Sequence, residues 1–419
     1  MLPHQFWSWP LCLTLLMLSG CWSSGSGGTT TSVPSGSDKK TLQIVATTGM
    51  VADLVRSVVG AHGNVKTLIG TGVDPHLFKT TRHVINLLHE ADIVFYSGLM
   101  LEGRMQDALQ QVNRPEHPVI AVTERLEKDF LRSPPEFEGH YDPHVWMDVV
   151  AWSRCLDVIV DVMVKIDPDH ADEFRQNAQH YQAELVELDE YITTVIKSIP
   201  DEHRVLVTAH DAFGYFGRRY GIEVRSVQGV TTESEAGIQD VNRLVDFLVQ
   251  RKLPAIFVES SVNEKNIRAV IEGTTSRKVT VRIGGELYSD AMGSEGTYEG
   301  TYIGMLDHNA TRISAALGGA PPERGFRGKL SVAVEERRNA WQGDERCIQD
   351  PNIVARSFRP SIQANGRAAL VQTGSVTCLS PLFHGSTASS FNNLFSALML
   401  RANCDLFRGR SQHGQYLGT

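Results

Sequence analysis

Apolar positions along the chain come in two alternating styles. Short runs of four or five, such as Leu42–Ala46 and Ile93–Tyr96, read as buried strands. Longer stretches with apolar residues three and four apart read as amphipathic helices. In the first half, strands are expected at Leu42–Ala46, Val65–Ile69, Ile93–Tyr96 and Val119–Val122, with helices at Met50–Val59 and Thr81–Ala91. The second half repeats the scheme without repeating the sequence. Its strands fall at Val205–Thr208, Val224–Val227, Ala255–Val258 and Val279–Ile283, and its helices at Phe213–Tyr220, Ile238–Arg251, Asn263–Glu272 and Thr301–Leu317. Strands alternating with helices imply parallel sheets covered on both faces.

Between the halves, Pro168 suits a first helical turn and Pro200 a stop. No Gly or Pro interrupts the 31 residues between them. A helix there would be roughly 45 Å long, enough to run along both halves and limit hinge motion. The expected fold class is therefore α/β: two similar lobes, each a small parallel sheet flanked by helices, joined by one long rigid helix. The boundaries are a lobe at 41–165, the connecting helix at 166–200, a second lobe at 201–318 and a tail at 319–419.

The first 40 residues do not belong to either lobe. Leu11–Leu18 is a short apolar run of the kind found in signal peptides. It leads into Leu18-Ser19-Gly20-Cys21, which resembles the lipobox of bacterial lipoproteins. The preceding Met1–Pro10 carries no Lys or Arg, which is unusual for such a leader. A lipoprotein signal peptide at 1–20, acylation of Cys21 and a flexible tether at 21–40 are expected. The tether is rich in Gly, Ser and Thr and cannot bury enough apolar area to fold.

Composition narrows the function. Hydrophobic residues make up 42% and charged residues 21%, as in ordinary globular proteins. The net charge of −8 argues against nucleic acid as a partner. No stretch of 18 apolar residues occurs, so no conventional transmembrane helix is encoded. Between Ala46 and Leu317 the one cysteine is Cys155. Any metal bound in that region must be held by His, Asp or Glu.

Three segments present a histidine at a turn or strand end: Gly72-Val73-Asp74-Pro75-His76, Tyr141-Asp142-Pro143-His144 through Asp148, and Thr208-Ala209-His210-Asp211. A fourth, Leu287-Tyr288-Ser289-Asp290, offers a carboxylate, which by itself would read equally well as a cap or turn residue. Proline fixes its own φ and biases the residue before it away from helix, so each Asp-Pro-His holds its imidazole on a stiff loop. His210 directly follows a strand, where open α/β sheets bind ligands. Three imidazoles and a carboxylate suit zinc, and manganese also accepts them. Asp74, Asp142, Asp148 and Asp211 are candidate acceptors for the other ring N–H.

These residues resemble a known family, the zinc- and manganese-specific substrate-binding lipoproteins of ABC transporters, the ZnuA-like and TroA-like group. The matching stretches also include Thr232–Ala236, Phe257–Glu259, Ser289–Gly293 and Gly300–Tyr302, in colinear order from about Thr41 to Leu317. The resemblance implies that His76, His144, His210 and Asp290 are the metal ligands. It implies a monomer outside the cytoplasm, lipid-anchored to the membrane at its N-terminus, that captures Zn²⁺ or else Mn²⁺ and passes it to an ABC permease and its ATPase. His at the third ligand position resembles the zinc-binding members and those that accept both metals. The His-rich loop common in zinc members is absent, since Arg104–His140 holds just His117 and His140. Glu233, Glu235 and Glu259 match family motifs and are read as caps, turns or supports of the ligands.

The pattern ends near Leu317. From Pro321 onward, 12 basic residues face 7 acidic ones and no sustained periodicity appears, so the tail is expected to be a disordered or accessory extension. Two alternatives to transport are an extracellular zinc hydrolase, in which Asp290 would serve as base, and an adhesin. The absence of HExxH or a comparable helix motif weighs against the hydrolase.

Overall fold

The computed structural model describes residues 41–137 and 139–331, together with the backbone of two strands further on. The expected signal peptide, Cys21, the tether and most of the tail lie outside the described residues.

In the first lobe the order is β1 (Leu42–Ala46), α1 (Gly49–Val59), β2 (Gly63–Thr67), α2 (Arg82–Glu90), β3 (Ile93–Tyr96), α3 (Gln106–Val112), β4 (Val119–Ala121), α4 (Val149–Ser153) and α5 (Cys155–Ile166). Then comes α6 (Ala171–Lys197). The second lobe runs β5 (Val205–Thr208), α7 (Gly214–Tyr220), β6 (Glu223–Ser226), α8 (Ile238–Arg251), β7 (Ala255–Glu259), α9 (Lys265–Ser276), β8 (Arg282–Leu287) and α10 (Tyr302–Ala316). No helix among the described residues is long and apolar enough to cross a membrane.

The first sheet is parallel, in the order β2-β1-β3-β4, with β1 paired from Leu42↔Gly63 to Ala46↔Thr67. The second lobe holds two parallel ladders, β5-β6 and β7-β8, and β5 lies beside β7. Short polar side chains start the helices where the strands end: Thr48, Thr81 and Thr301 accept backbone N–H groups at the starts of α1, α2 and α10.

The connecting helix is 27 residues long, about 40 Å at 1.5 Å per residue. Phe174, Ala178, Tyr181, Leu185, Leu188, Ile192 and Val195 recur at alternating steps of four and three and form its buried stripe. That stripe packs on α1, α4 and α5 of the first lobe and on α7 and α10 of the second. One apolar core thus crosses both lobes, with Trp146, Trp152, Phe216 and Tyr302 fully buried in it. Each such side chain contributes roughly 1.5–3 kcal/mol relative to an exposed one.

Two expectations need adjustment. The strand expected at Val279–Ile283 forms at Arg282–Leu287 instead. The chain also stays packed past the expected boundary at 318. Phe326 and Leu330 are buried, Phe326 N–H donates to Asp307 at 2.8 Å, and Arg327 pairs with Glu184 at 3.0 Å and with Glu187. The packed unit continues to Ser331. In the unit beyond it, β9 (Phe358–Ile362) and β10 (Ala368–Gln372) pair antiparallel, from Phe358↔Gln372 to Ile362↔Ala368. The sequence reading placed no strands there.

Candidate metal centre

Four loops bring polar side chains to one buried point. His76 stands on the loop after β2, which turns at Gly72 with φ +70°, a conformation glycine adopts without strain. His144 precedes a tight turn at Val145–Met147. His210 follows β5, and Asp290 follows β8. All are at most 5% exposed, although three are loop histidines and one is a loop carboxylate.

The donor atoms converge. Nε2 of His76 lies 3.3 Å from Nε2 of His144 and 3.7 Å from Asp290 Oδ2. Nε2 of His144 is 3.3 Å from Asp290 Oδ1, and Nε2 of His210 is 3.1 Å from Asp290 Oδ2. Donors about 2.05 Å from a tetrahedral zinc stand roughly 3.3 Å from one another. The spacing therefore fits one ion at the common centre. His210 Nε2 and both carboxylate oxygens of Asp290 are buried without a hydrogen-bond partner, although they approach within reach. Buried polar atoms are rarely left so, and orphaned donors aimed at one point mark a ligand position.

Each inner imidazole is oriented from behind. Asp142 Oδ1 accepts from the backbone N–H of His144 at 3.0 Å and faces its Nδ1 at 2.8 Å. Glu259, the last residue of β7, does the same for His210: Oε1 accepts from its backbone N–H at 2.8 Å and Oε2 meets Nδ1 at 2.5 Å. A carboxylate there places the proton on Nδ1 and frees Nε2 as a ligand. Asp142 is held in turn by Arg132. Trp146, packed on His144 with ring centroids 5.2 Å apart, donates from Nε1 to the Ser289 carbonyl at 2.9 Å, tying the His144 loop to the Asp290 loop.

Of the other acceptors read from the sequence, Asp74 supports a loop. It takes the His76 backbone N–H at 2.8 Å and the Thr232 hydroxyl at 2.5 Å, joining the two lobes. Asp148 is corrected: it caps α4, accepting from Val150 and Ala151 at 3.1 Å, and lies near Arg218 rather than a ligand ring. Asp211 is half-buried near Asp142 and Arg132, where loss of hydration and the Asp142 charge push its carboxyl up. It is Glu259, not Asp211, that faces the His210 ring. Glu233 pairs with Arg104 across the cleft at 2.9 Å. This pair lines a vestibule of about 340 Å³ with His76, Met100, His140 and Thr231.

The electrostatics of the metal-free cluster are uneven. Burial pulls the His144 imidazole down, but Asp290 and Asp142 outweigh it and carry it up to about 9. Burial likewise opposes the charge on His210, and Glu259 and Asp290 overcome it and raise it well above its ordinary value. Burial holds His76 down to about 3, the Asp290 charge being offset by its two histidine neighbours. Asp290, despite complete burial, is held well below the usual carboxylate range by His210 and His144.

Comparison with known proteins supports the same reading. Residues 44–316 match the family described as zinc-uptake complex component A, periplasmic. The chain is 46% identical over 301 residues to the manganese-binding lipoprotein MntA of Bacillus subtilis, covering 72% of this chain and 95% of that one. It is 46% identical over 274 residues to the zinc-binding protein TroA of Treponema pallidum, covering 65% and 88%. The solved structure of the periplasmic zinc-binding protein TroA from Treponema pallidum superposes with a TM-score of 0.64 at 45% identity, covering 66% of this chain and 99% of that one. Neither the hydrolase nor the adhesin alternative is supported by these relatives.

Proposed function

Because this chain belongs to the zinc-uptake complex component A family, whose members are substrate-binding proteins of metal ABC transporters, we propose that His76, His144, His210 and Asp290 hold a single divalent ion as its cargo. The observation that carries the reading is the convergence of three Nε2 atoms and one carboxylate, 3.1–3.7 Å apart and at most 5% exposed. Four protein donors fill a tetrahedron and leave no position for a reacting water, which suits binding rather than catalysis.

Zinc is the preferred cargo in this reading, with manganese bound more weakly. Two relatives of equal identity are named for different metals, so kinship alone does not choose between them. The donor set does. A closed site with three imidazoles matches zinc, whereas manganese favours oxygen and higher coordination and lies lower in the divalent affinity order. Delivery to an ABC permease and its ATPase, monomeric action and anchorage outside the cytoplasm through acylated Cys21 complete the proposal. Mass spectrometry of the mature N-terminus tests the anchor, and an unmodified N-terminus downstream of Cys21 would remove it.

The decisive experiment is elemental analysis of protein purified without added metal, then Zn²⁺/Mn²⁺ competition on the parent, His76→Ala and His210→Ala. One equivalent in the parent, at least a hundredfold preference for zinc (about 2.7 kcal/mol) and strong loss in both variants are expected. Unchanged metal content in the variants would overturn the ligand assignment.

A further inference from the structure

A second group of metal-ligating side chains lies away from the cleft. His62 ends the short turn Gly60–His62 that leads into β2. His170 ends the turn Pro168–His170 that leads into α6, and Glu173 sits in the first turn of that helix. One donor atom from each of the three lies within 4.8 Å of the others. The two imidazoles stack with centroids 3.8 Å apart and planes 24° apart. Both rest against the fully buried Phe174, at 5.9 and 6.4 Å between centroids. Such stacking is unfavourable between two imidazolium ions, because like charges repel at contact.

The surrounding groups repeat the logic of the cleft. Asp167 Oδ2 meets His170 Nδ1 at 2.6 Å, a carboxylate behind a histidine that leaves Nε2 as the outward donor. Glu173 Oε2 stands 2.7 Å from His62 Nε2, the separation of a hydrogen bond that a shared cation would replace. The amino end of α6 carries a partial positive charge of about half a unit and would repel a cation. Asp167, Asp169 and Glu173 reverse that sign. The side chains of His62 and His170 are 24% and 28% exposed, and they border a pocket of about 210 Å³ with Thr41, Leu42 and Ala61. This pocket lies where β1 and β2 begin, whereas the cleft lies beyond the strand ends. The five residues of β2 alone place it roughly 16 Å along the sheet.

We propose that His62, His170 and Glu173 form a second site for a divalent transition metal of the zinc class. Three protein donors are completed by water, so the site is open and exchanges with solvent. Its occupant links the turn before β2 to the first turn of the connecting helix and braces the amino end of that helix.

Zinc titration of the full chain, followed by calorimetry and melting, tests this. The tail carries further His and Cys residues, so the result is read as a difference between proteins. His62→Gln and His170→Gln should each remove one weaker equivalent and leave the tight equivalent unchanged. Excess zinc should raise the melting temperature of the parent more than that of either variant. Glu173→Gln, a change at a largely exposed side chain, should weaken the second equivalent about tenfold without altering the metal-free melting temperature. Equal stoichiometry and equal zinc-induced shifts in the parent and all three variants would overturn the proposal. So would a parent that binds a single equivalent.

Discussion

His144 and His210 both face Asp290, and this sets how protons compete with the cargo. With His144 carried to about 9 and His210 raised well above its ordinary value, both are protonated in the metal-free cleft at pH 7, while His76, held to about 3, is neutral. Binding must then expel two protons. Apparent affinity should rise with pH across the neutral range, by about a hundredfold per unit while both protons are displaced. The sequence alone places the loss near 6.5, the ordinary imidazole value. The buried carboxylates move it upward. Calorimetry in two buffers of different ionisation enthalpy counts the protons, and a count of zero would contradict the argument. In the metal-free protein the raised values stabilise the fold fully below about 6.5. The His144 share is lost as pH climbs through about 9, so the metal-free melting temperature should fall there. Glu259→Gln offers a sharper test. An amide can accept the His210 backbone N–H but then turns its NH₂ toward Nδ1, which favours the tautomer with Nε2 protonated. Affinity should drop about 10- to 100-fold, with the metal-free fold intact by circular dichroism. An unchanged affinity would mean that Glu259 does not set the tautomer.

At the scale of elements, the alternation of apolar runs made most strands and helices legible, and the strand-end position singled out His210. The Asp-Pro-His loops exposed two more candidates, because proline constrains backbone whatever surrounds it. Glu259 was less legible, since its partner is 49 residues away and belongs to a neighbouring strand. The usable signals were the family match of Phe257–Glu259 and its place at the carboxyl end of β7, beside the strand that His210 follows. Helix α5 went unread because Val158, Ile159, Val160 and Val162 favour strand by local preference. Packing against α1 and α6 decides for helix. The strand expected at Val279–Ile283 stops before Gly284 and Gly285, which local preference disfavours in strands, whereas β8 runs through both. In the structure, a Cβ at Gly284 would lie 2.6 Å from the Phe257 ring, so the glycine permits the β7-β8 ladder to close. Gly284→Ala should therefore cost about 1–3 kcal/mol through overpacking, measurable by urea unfolding. A neutral effect would show that the Phe257 ring can yield.

For the whole molecule, the segment after α10 matters more than its composition suggests. Truncation after Ala320 would strip Asp307 of the Phe326 N–H and uncover the surface that Phe326 and Leu330 bury. Losing those two side chains should cost roughly 3 kcal/mol or more and lower the melting temperature. Truncation after Ser331 should leave both stability and metal affinity close to the parent. Equal melting of the two truncated proteins would show that the segment merely rests on the surface. The vestibule, finally, implies an order of events for an ion that enters through it. Of the four converging residues it is lined by His76 alone. That is also the imidazole that burial keeps unprotonated. An ion entering there would first meet a lone pair that is already available, and would displace protons from His144 and His210 as it moves inward. Arrival is the easy step and commitment the later one. A departing ion retraces the path, with His76 the last hand to let go.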